Sequence, residues 1–244
     1  MQLKDCVVLI TGGVTRVGRM ITLELAKSGA EMFCHYNKSE RDARSLKKEV
    51  EQMGGSIHLF QGDLSDISFA EKLVDMVFDR AKRVDVLINN AALFFKTPFG
   101  SISEEQWDRL FTLNLKAAFF CAQKAGQYMV RQGKGKIINI ADPSGESPWP
   151  SFIPYGLTKA GIIAMTKGLA KALAPDVQVN CINPGPVLIP ENYTEKERKR
   201  AIENTLLKRE GSAQDIAVTV KFLVEGSDYI TGAVVNVDGG RAVR

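Results

Sequence analysis

The chain has 244 residues, 45% of them hydrophobic and 25% charged, with a formal net charge of +4. This is the balance of a globular protein long enough to bury a sizeable core. The positive excess is too small and scattered to argue for nucleic acid, and it suits an anionic small ligand. No apolar run approaches the length of a membrane span, and the first is too short for a secretory leader.

In chain order, apolar runs and helical periodicity predict a buried strand at 7–10, a helix over 19–27 closing at Gly29, and a strand at 32–35. A polar helix over 40–53, a strand at 57–60, a helix over 69–80 and a strand at 84–88 follow. One long helix is expected over 104–131, then a strand at 136–140, a helix over 155–173 and a strand at 177–182. A helix over 213–224 and a strand at 233–237 complete the pattern, with no repeat, low-complexity tract or linker. Short β-branched strands alternating with helices imply parallel strands, right-handed crossovers and helices on both faces. The expected fold is therefore α/β, a single-domain doubly wound parallel sheet of Rossmann type spanning 1–244. Ligands bind such sheets beyond the carboxyl ends of the strands, which selects the loops after Ile10, His35, Phe60, Ile88, Ile140 and Ile182. Cys6, Cys34, Cys121 and Cys181 form no CxxC pair and sit mostly in apolar runs, so they read as core thiols of a reducing, cytoplasmic compartment.

Thr11-Gly12-Gly13-Val14-Thr15-Arg16-Val17-Gly18 joins the first strand to the first helix. Glycines let backbone approach a diphosphate, and a helix start offers free N–H groups and the positive end of a dipole. Arg16 stands where a third glycine is expected; it is either a solvated arginine or a cation aimed at cofactor phosphate or substrate. The second strand ends in His35-Tyr36-Asn37-Lys38-Ser39, with no acid between Glu31 and Glu40. An NAD site places an acid there for the ribose 2′-hydroxyl, whereas Arg16, His35, Asn37, Lys38 and Ser39 suit a 2′-phosphate. The reading is NADPH/NADP+. The two histidines, His35 and His58, have no ligand spacing, so no metal site is expected.

Tyr155 and Lys159 lie four apart at a helix start and share a face. An ammonium beside a phenol is expected to lower the phenol's pKa and make it a usable acid/base.

With these pieces in order, the chain resembles the short-chain dehydrogenase/reductase family over essentially its whole length. The matching motifs are Thr11-Gly12 to Gly18, Asp63 in Gly62-Asp63-Leu64, Asn89-Asn90-Ala91-Ala92, and Asn114 in Leu113-Asn114-Leu115. Tyr155 with Lys159, Asn183-Pro184-Gly185 and Val237-Asp238-Gly239-Gly240 continue the match. The resemblance implies hydride transfer, Tyr155 as acid/base, Lys159 on the nicotinamide ribose and Asn114 supporting a proton-relay water. It also implies that Asp63 and Leu64 meet the adenine, that Asn90 and Ala91 line the adenosine side, and that Pro184, Gly185 and Val187 lie by the nicotinamide. Homotetramers are the family's usual assembly.

Thirteen residues before the tyrosine the family keeps a serine that bonds a substrate carbonyl; here that position is Asp142. A carboxylate opposes a forming alkoxide, so ordinary ketone reduction is disfavoured, and an N–H-rich substrate or a C=N bond suits it better. Asp142, Tyr155 and Lys159, with Arg16, His35-Tyr36…Lys38-Ser39 and Phe94, resemble the pteridine reductase branch, which implies a pterin stacked on Phe94. Two features depart from it. Ala92 lies near where that branch has a serine touching the pterin, and the family's threonine after Pro-Gly is replaced around 187–189.

The segment around 186–210 is read as a substrate lid in which Leu188, Pro190 and Tyr193 set specificity, its charged run forming a solvated helix. Trp149 is either a pocket wall or an interface residue. Three functions remain open: a pteridine reductase-like enzyme, a carbonyl reductase of the 3-oxoacyl or small-ketone type using Ser144 or Asp142, and a non-catalytic NADP(H)-binding regulator.

Overall fold

The computed structural model describes residues 1–189 and 193–243; the predicted specificity residue Pro190 lies outside them. Strands β1 (Val7–Ile10), β2 (Glu31–Tyr36), β3 (Ser56–Gln61), β4 (Val86–Asn89), β5 (Gly135–Ile140), β6 (Val177–Pro184) and β7 (Val234–Val237) form one sheet. Their order is β3-β2-β1-β4-β5-β6-β7, and every pairing is parallel. β1, β4 and β5 are buried at every position, as strands covered on both faces are, with the buried polar Asn89, Lys136 and Asn139 interrupting the apolar runs of β4 and β5.

Helices α1 (Arg16–Lys27), α2 (Glu40–Gln52) and α8 (Ala213–Glu225) cover one face, packing Ile21, Leu25, Leu46, Val220 and Leu223 on Val8, Ile10 and Ile88. Helices α3 (Ile67–Ala81) and α5 (Ala118–Gln132) cover the other, with Leu73, Val77, Cys121 and Met129 on Leu9, Leu87 and Ile137. All four cysteines are buried and free, and burial pushes the Cys34 and Cys121 thiols up to about 12. The chain runs outward from β1 to β3 and then returns to β4 on the other side of β1. This switch point opens a crevice at the carboxyl ends of β1 and β4.

The single helix expected over 104–131 is corrected. It is α4 (Glu104–Phe111), a π-helical stretch Thr112–Ala117, and α5. The cause lies at buried Asn114, whose Oδ1 accepts the Leu93 N–H at 2.7 Å. Its Nδ2 donates to Leu93 O at 2.9 Å and to the Thr158 hydroxyl at 3.3 Å. These bonds tie the loop after β4 and helix α6 (Ile153–Ala172) to one residue, and the widened turn accommodates them. The charged run after Thr194 is helix α7 (Glu195–Glu203), closed by a Thr194–Glu197 capping box.

A buried polar chain fixes α6 to the sheet: Asn89 Nδ2 donates to Asn139 Oδ1, and Asn139 Nδ2 donates to Thr166 Oγ1, both at 2.9 Å. Asn139→Leu strands polar groups on β4 and α6, so it should cost about 2 kcal/mol. The urea midpoint should fall with an unchanged denaturant slope; an unchanged midpoint would show the chain to be idle.

Candidate active site

A cavity of about 490 Å³ lies over the switch point, walled by the loops after β1, β2, β4, β5 and β6. Its floor is the turn between β1 and α1. Gly12 sits at φ +61°, and a Cβ on Gly18 would stand 2.1 Å from Gly12 O, so only glycines allow this close backbone approach. Thr15 caps α1 in position but its side chain makes no capping bond, which leaves the helix's first N–H groups open where Thr15 to Gly18 line the cavity. Such a cradle fits the diphosphate of a dinucleotide.

The cradle is braced from behind. Asn90 Nδ2 donates to Thr11 O at 3.0 Å and Gly12 O at 2.9 Å, while the Thr11 hydroxyl accepts the N–H groups of Asn90 and Ala91. The Gly12 N–H donates to His35 Nδ1 at 3.3 Å, and His35 Nε2 pairs with Gly62 O at 3.1 Å. Both ring nitrogens are thereby committed, and burial holds the imidazole below its usual pKa, so it is neutral. His35 supports the loop and offers no cation to a phosphate.

At the other end of the cavity, β5 delivers Asp142 into a short 3₁₀ turn, Pro143–Gly145. Asp142 Oδ1 accepts the Ser144 N–H at 2.7 Å, and Tyr155 donates its phenolic proton to Oδ2 at 3.3 Å. Lys159 Nζ donates to Ile140 O at 2.9 Å and lies 5.6 Å from the Tyr155 ring centroid. Asp142, Tyr155 and Lys159 all line the cavity, whereas Ser144 is fully buried and does not.

The electrostatics correct one expectation. Burial first, and then the charge and hydrogen bond of Asp142, push the Tyr155 phenol well above 10 instead of lowering it. Lys159 spends its ammonium on the β5 carbonyl, and burial lowers its pKa against the pull of Asp142. Burial raises the Asp142 carboxyl, opposed by the Ser144 N–H and by Lys159. The tyrosine is therefore a protonated donor at neutral pH, backed by an acid that keeps its own proton more readily than in water.

The remaining wall is aromatic. Phe94 stacks on Phe152 at 4.7 Å and meets the edge of Tyr155 at 4.9 Å; Trp149 stands edge-on to Phe94 at 6.5 Å. Arg16 and Leu188 both hold left-handed backbone, and Arg16 Nη2 donates to Leu188 O across the mouth. Glu210 ties the neighbouring segment down, accepting Ile189 N–H at 2.8 Å and pairing with Arg198 at 3.2 Å.

Of the residues selected from sequence, Gly12, Arg16, Val17, Gly18, His35, Asn37, Leu64, Asn90, Ala91, Phe94, Asp142, Tyr155, Lys159, Pro184, Gly185, Val187, Leu188 and Tyr193 line this one cavity. Tyr36, Lys38, Ser39, Asp63 and Asn114 do not. Tyr36 packs on the core, and exposed Asp63 accepts the Ser65 N–H at 2.9 Å. Lys38 and Ser39 mark the start of α2, where Ser39 makes no capping bond. Arg241, Pro143 and Ile189 line the cavity without having been singled out; only their proximity in the fold reveals them.

A diphosphate cradle at the switch point, facing a buried Tyr–Lys pair, defines a dinucleotide-dependent oxidoreductase of doubly wound α/β type. The chain belongs to the short-chain dehydrogenase/reductase family: the family model described as short chain dehydrogenase matches residues 6–201. It is 34% identical over 247 residues to the 3-oxoacyl-(acyl-carrier-protein) reductase of Thermotoga maritima, covering 100% of each chain. It superposes on the FolM alternative dihydrofolate reductase 1 of Brucella canis complexed with NADP at TM-score 0.92 and 30% identity, covering 100% of this chain and 96% of that one. A blue fluorescent protein from a metagenomic library in complex with NADPH gives TM-score 0.92 at 31% identity, covering 99% and 100%. Among the described residues, no helix is long and apolar enough to cross a membrane, and no cluster of His, Cys, Asp or Glu could hold a metal ion.

The raised carboxyl has a consequence for stability. A folded-state pKa above the ordinary 3.8 means that ionising Asp142 costs folding free energy as pH rises through its folded value. Asp142→Asn should therefore raise Tm at neutral pH, and the gain should vanish as pH falls toward 3.8. A loss of Tm at neutral pH that persists in acid would contradict this.

Proposed function

We propose that the protein is an NADPH-dependent reductase of a C=N bond in a pterin, dihydropterin or dihydrofolate-like ring. The observation that carries this reading is Asp142, lodged 3.3 Å from the Tyr155 hydroxyl in the place where relatives keep a neutral serine. A carboxylate there destabilises the alkoxide of a ketone reduction, whereas it accepts the N–H groups of an amino-heterocycle. Phe94, 39% exposed and in contact with Tyr155, offers a flat apolar face for such a ring. Similarity to a dihydrofolate reductase complexed with NADP supports the same substrate class and cofactor.

Bound NADPH would supply hydride to the ring carbon. Tyr155, protonated because its pKa is raised, donates its proton to the adjacent ring nitrogen. Asp142, which accepts the phenol's hydrogen bond, fixes the direction of the hydroxyl, and the phenolate regains its proton from solvent. Lys159 holds the end of β5 and lies where the nicotinamide ribose would rest, and Asn114 pins the Leu93–Phe94 wall through Leu93. The cofactor's 2′-phosphate would meet Asn37, Lys38 and Ser39 at the uncapped start of α2. Glu31, at the far end of β2, is engaged with His58 at 2.8 Å, so the acid of β2 itself does not face that phosphate. The 186–210 segment serves as the substrate lid, latched by Arg16 on Leu188.

A second reading, reduction of a 3-oxoacyl thioester, is favoured by the full-length 34% identity to such a reductase. Following nicotinamide absorbance with dihydropterin, dihydrofolate and acetoacetyl thioester separates the two. Pterin turnover that holds through neutral pH and falls only where Tyr155 ionises is expected; thioester turnover alone would overturn the first reading. Lys38→Ala should narrow the preference for NADPH over NADH by roughly tenfold, and equal wild-type efficiency with NADH would remove the 2′-phosphate assignment.

A further inference from the structure

The cavity's aromatic end closes on a cation that neither the phosphate cradle nor the Tyr155 group uses. Arg241 follows β7 in a turn held by Asp238, whose Oδ1 accepts the Gly240 N–H at 2.8 Å and whose Oδ2 accepts the Ala242 N–H at 2.7 Å. The turn brings the half-buried guanidinium over the Trp149 ring, 4.7 Å from its centroid, and into the cavity wall. Contacts run from Tyr155 to Phe94 at 4.9 Å, on to Trp149 at 6.5 Å, and then to Arg241, which stands at the far end of this row of rings.

The other cations at the site are engaged. Lys159 donates to Ile140 O, Arg16 donates to Leu188 O, and Lys96, on the loop beyond Phe95, is paired with Glu197 at 2.7 Å. Among the described residues, Arg241 has the Trp149 ring contact but neither an ion pair nor a side-chain hydrogen bond. A guanidinium stacked on an indole keeps its N–H edge free, and that edge matches the paired oxygens of a carboxylate or phosphate. The cavity wall thus carries an acid beside the reacting phenol and, two rings away past Phe94 and Trp149, an unspent cation.

We propose that Arg241 binds an anionic group, carboxylate or phosphate, at the end of an arm carried by the substrate. The inference rests on the reading that a substrate is reduced at Tyr155 with its flat or acyl part against Phe94. Asp142 repels the anionic end and Arg241 attracts it, so the pair also orients the substrate, reducible group first.

The test uses two substrate pairs. Dihydrofolate, with its glutamyl carboxylates, is set against dihydrobiopterin, and acetoacetyl-coenzyme A, with its phosphates, against ethyl acetoacetate. Arg241→Gln should raise KM for the anionic member of each pair that is turned over by roughly tenfold, leaving kcat and the neutral member unchanged. Arg241→Lys should restore much of the loss, and Arg241→Glu should deepen it. The Asp238 bonds reach backbone N–H groups alone, so these variants keep the turn. The responding pair tells carboxylate from phosphate. An equal change in both members, or none in the anionic one, overturns the assignment. Turnover of the keto pair alone defeats the pterin reading while still judging Arg241; turnover of none of the four defeats both.

Discussion

The site depends on one contact: the hydrogen bond from the Tyr155 phenol to the Asp142 carboxylate at 3.3 Å, made at the cavity wall with Tyr155 buried and Asp142 half-buried. Burial raises the proton affinity of both groups; the charge and hydrogen bond of Asp142 raise the phenol further, while the phenol's hydrogen bond pulls the carboxyl back down. A tyrosine in that state is a proton donor ready for reduction. An ionised acid here cannot act as a serine-like carbonyl clamp, because it has no proton to donate, while each oxygen keeps a lone pair beyond its bond to Tyr155 or to the Ser144 N–H.

The fold supplies the precision that this contact needs. Asp142 leaves the end of β5 in a tight 3₁₀ turn, and Tyr155 enters on the first turn of α6. The two segments are locked by Lys159 on Ile140 O and by the Asn89–Asn139–Thr166 chain beneath them. Gly156 packs so closely on this turn that a Cβ would stand 2.8 Å from Ser144 O. On the opposite wall, Asn114 fixes Leu93, and with it the loop that presents Phe94, at the cost of a widened helical turn. The π-helical stretch borders the site, and the left-handed Arg16 and Leu188 stand at its mouth.

Much of this was legible in the sequence because the signals are local. Continuous apolar strands, a Gly-rich turn before α1 and a Tyr–Lys spacing of one helical turn each reflect a short-range constraint, and together they identify the sheet, the cradle and the Tyr155–Lys159 pair that faces it. What escaped depends on distant partners. Periodicity through 104–131 reads as one helix because the bonds that break it go to Leu93 and Thr158. The direction of the Tyr155 shift escapes the sequence because spacing reveals that Lys159 is near but not that the phenol is buried and bonded to Asp142. His35 looked like a phosphate contact until the fold committed both its nitrogens to backbone. Arg241 carries no motif at all; only the Asp238 turn brings it to Trp149.

The central claim is that an acid in the hydroxyl's place selects C=N over C=O. Its most direct test compares kcat/KM of wild type and Asp142→Ser on dihydropterin and on acetoacetyl thioester. The claim predicts opposite movements, with pterin reduction falling and thioester reduction rising. Both activities rising together, or pterin reduction surviving intact with serine in place, would contradict it.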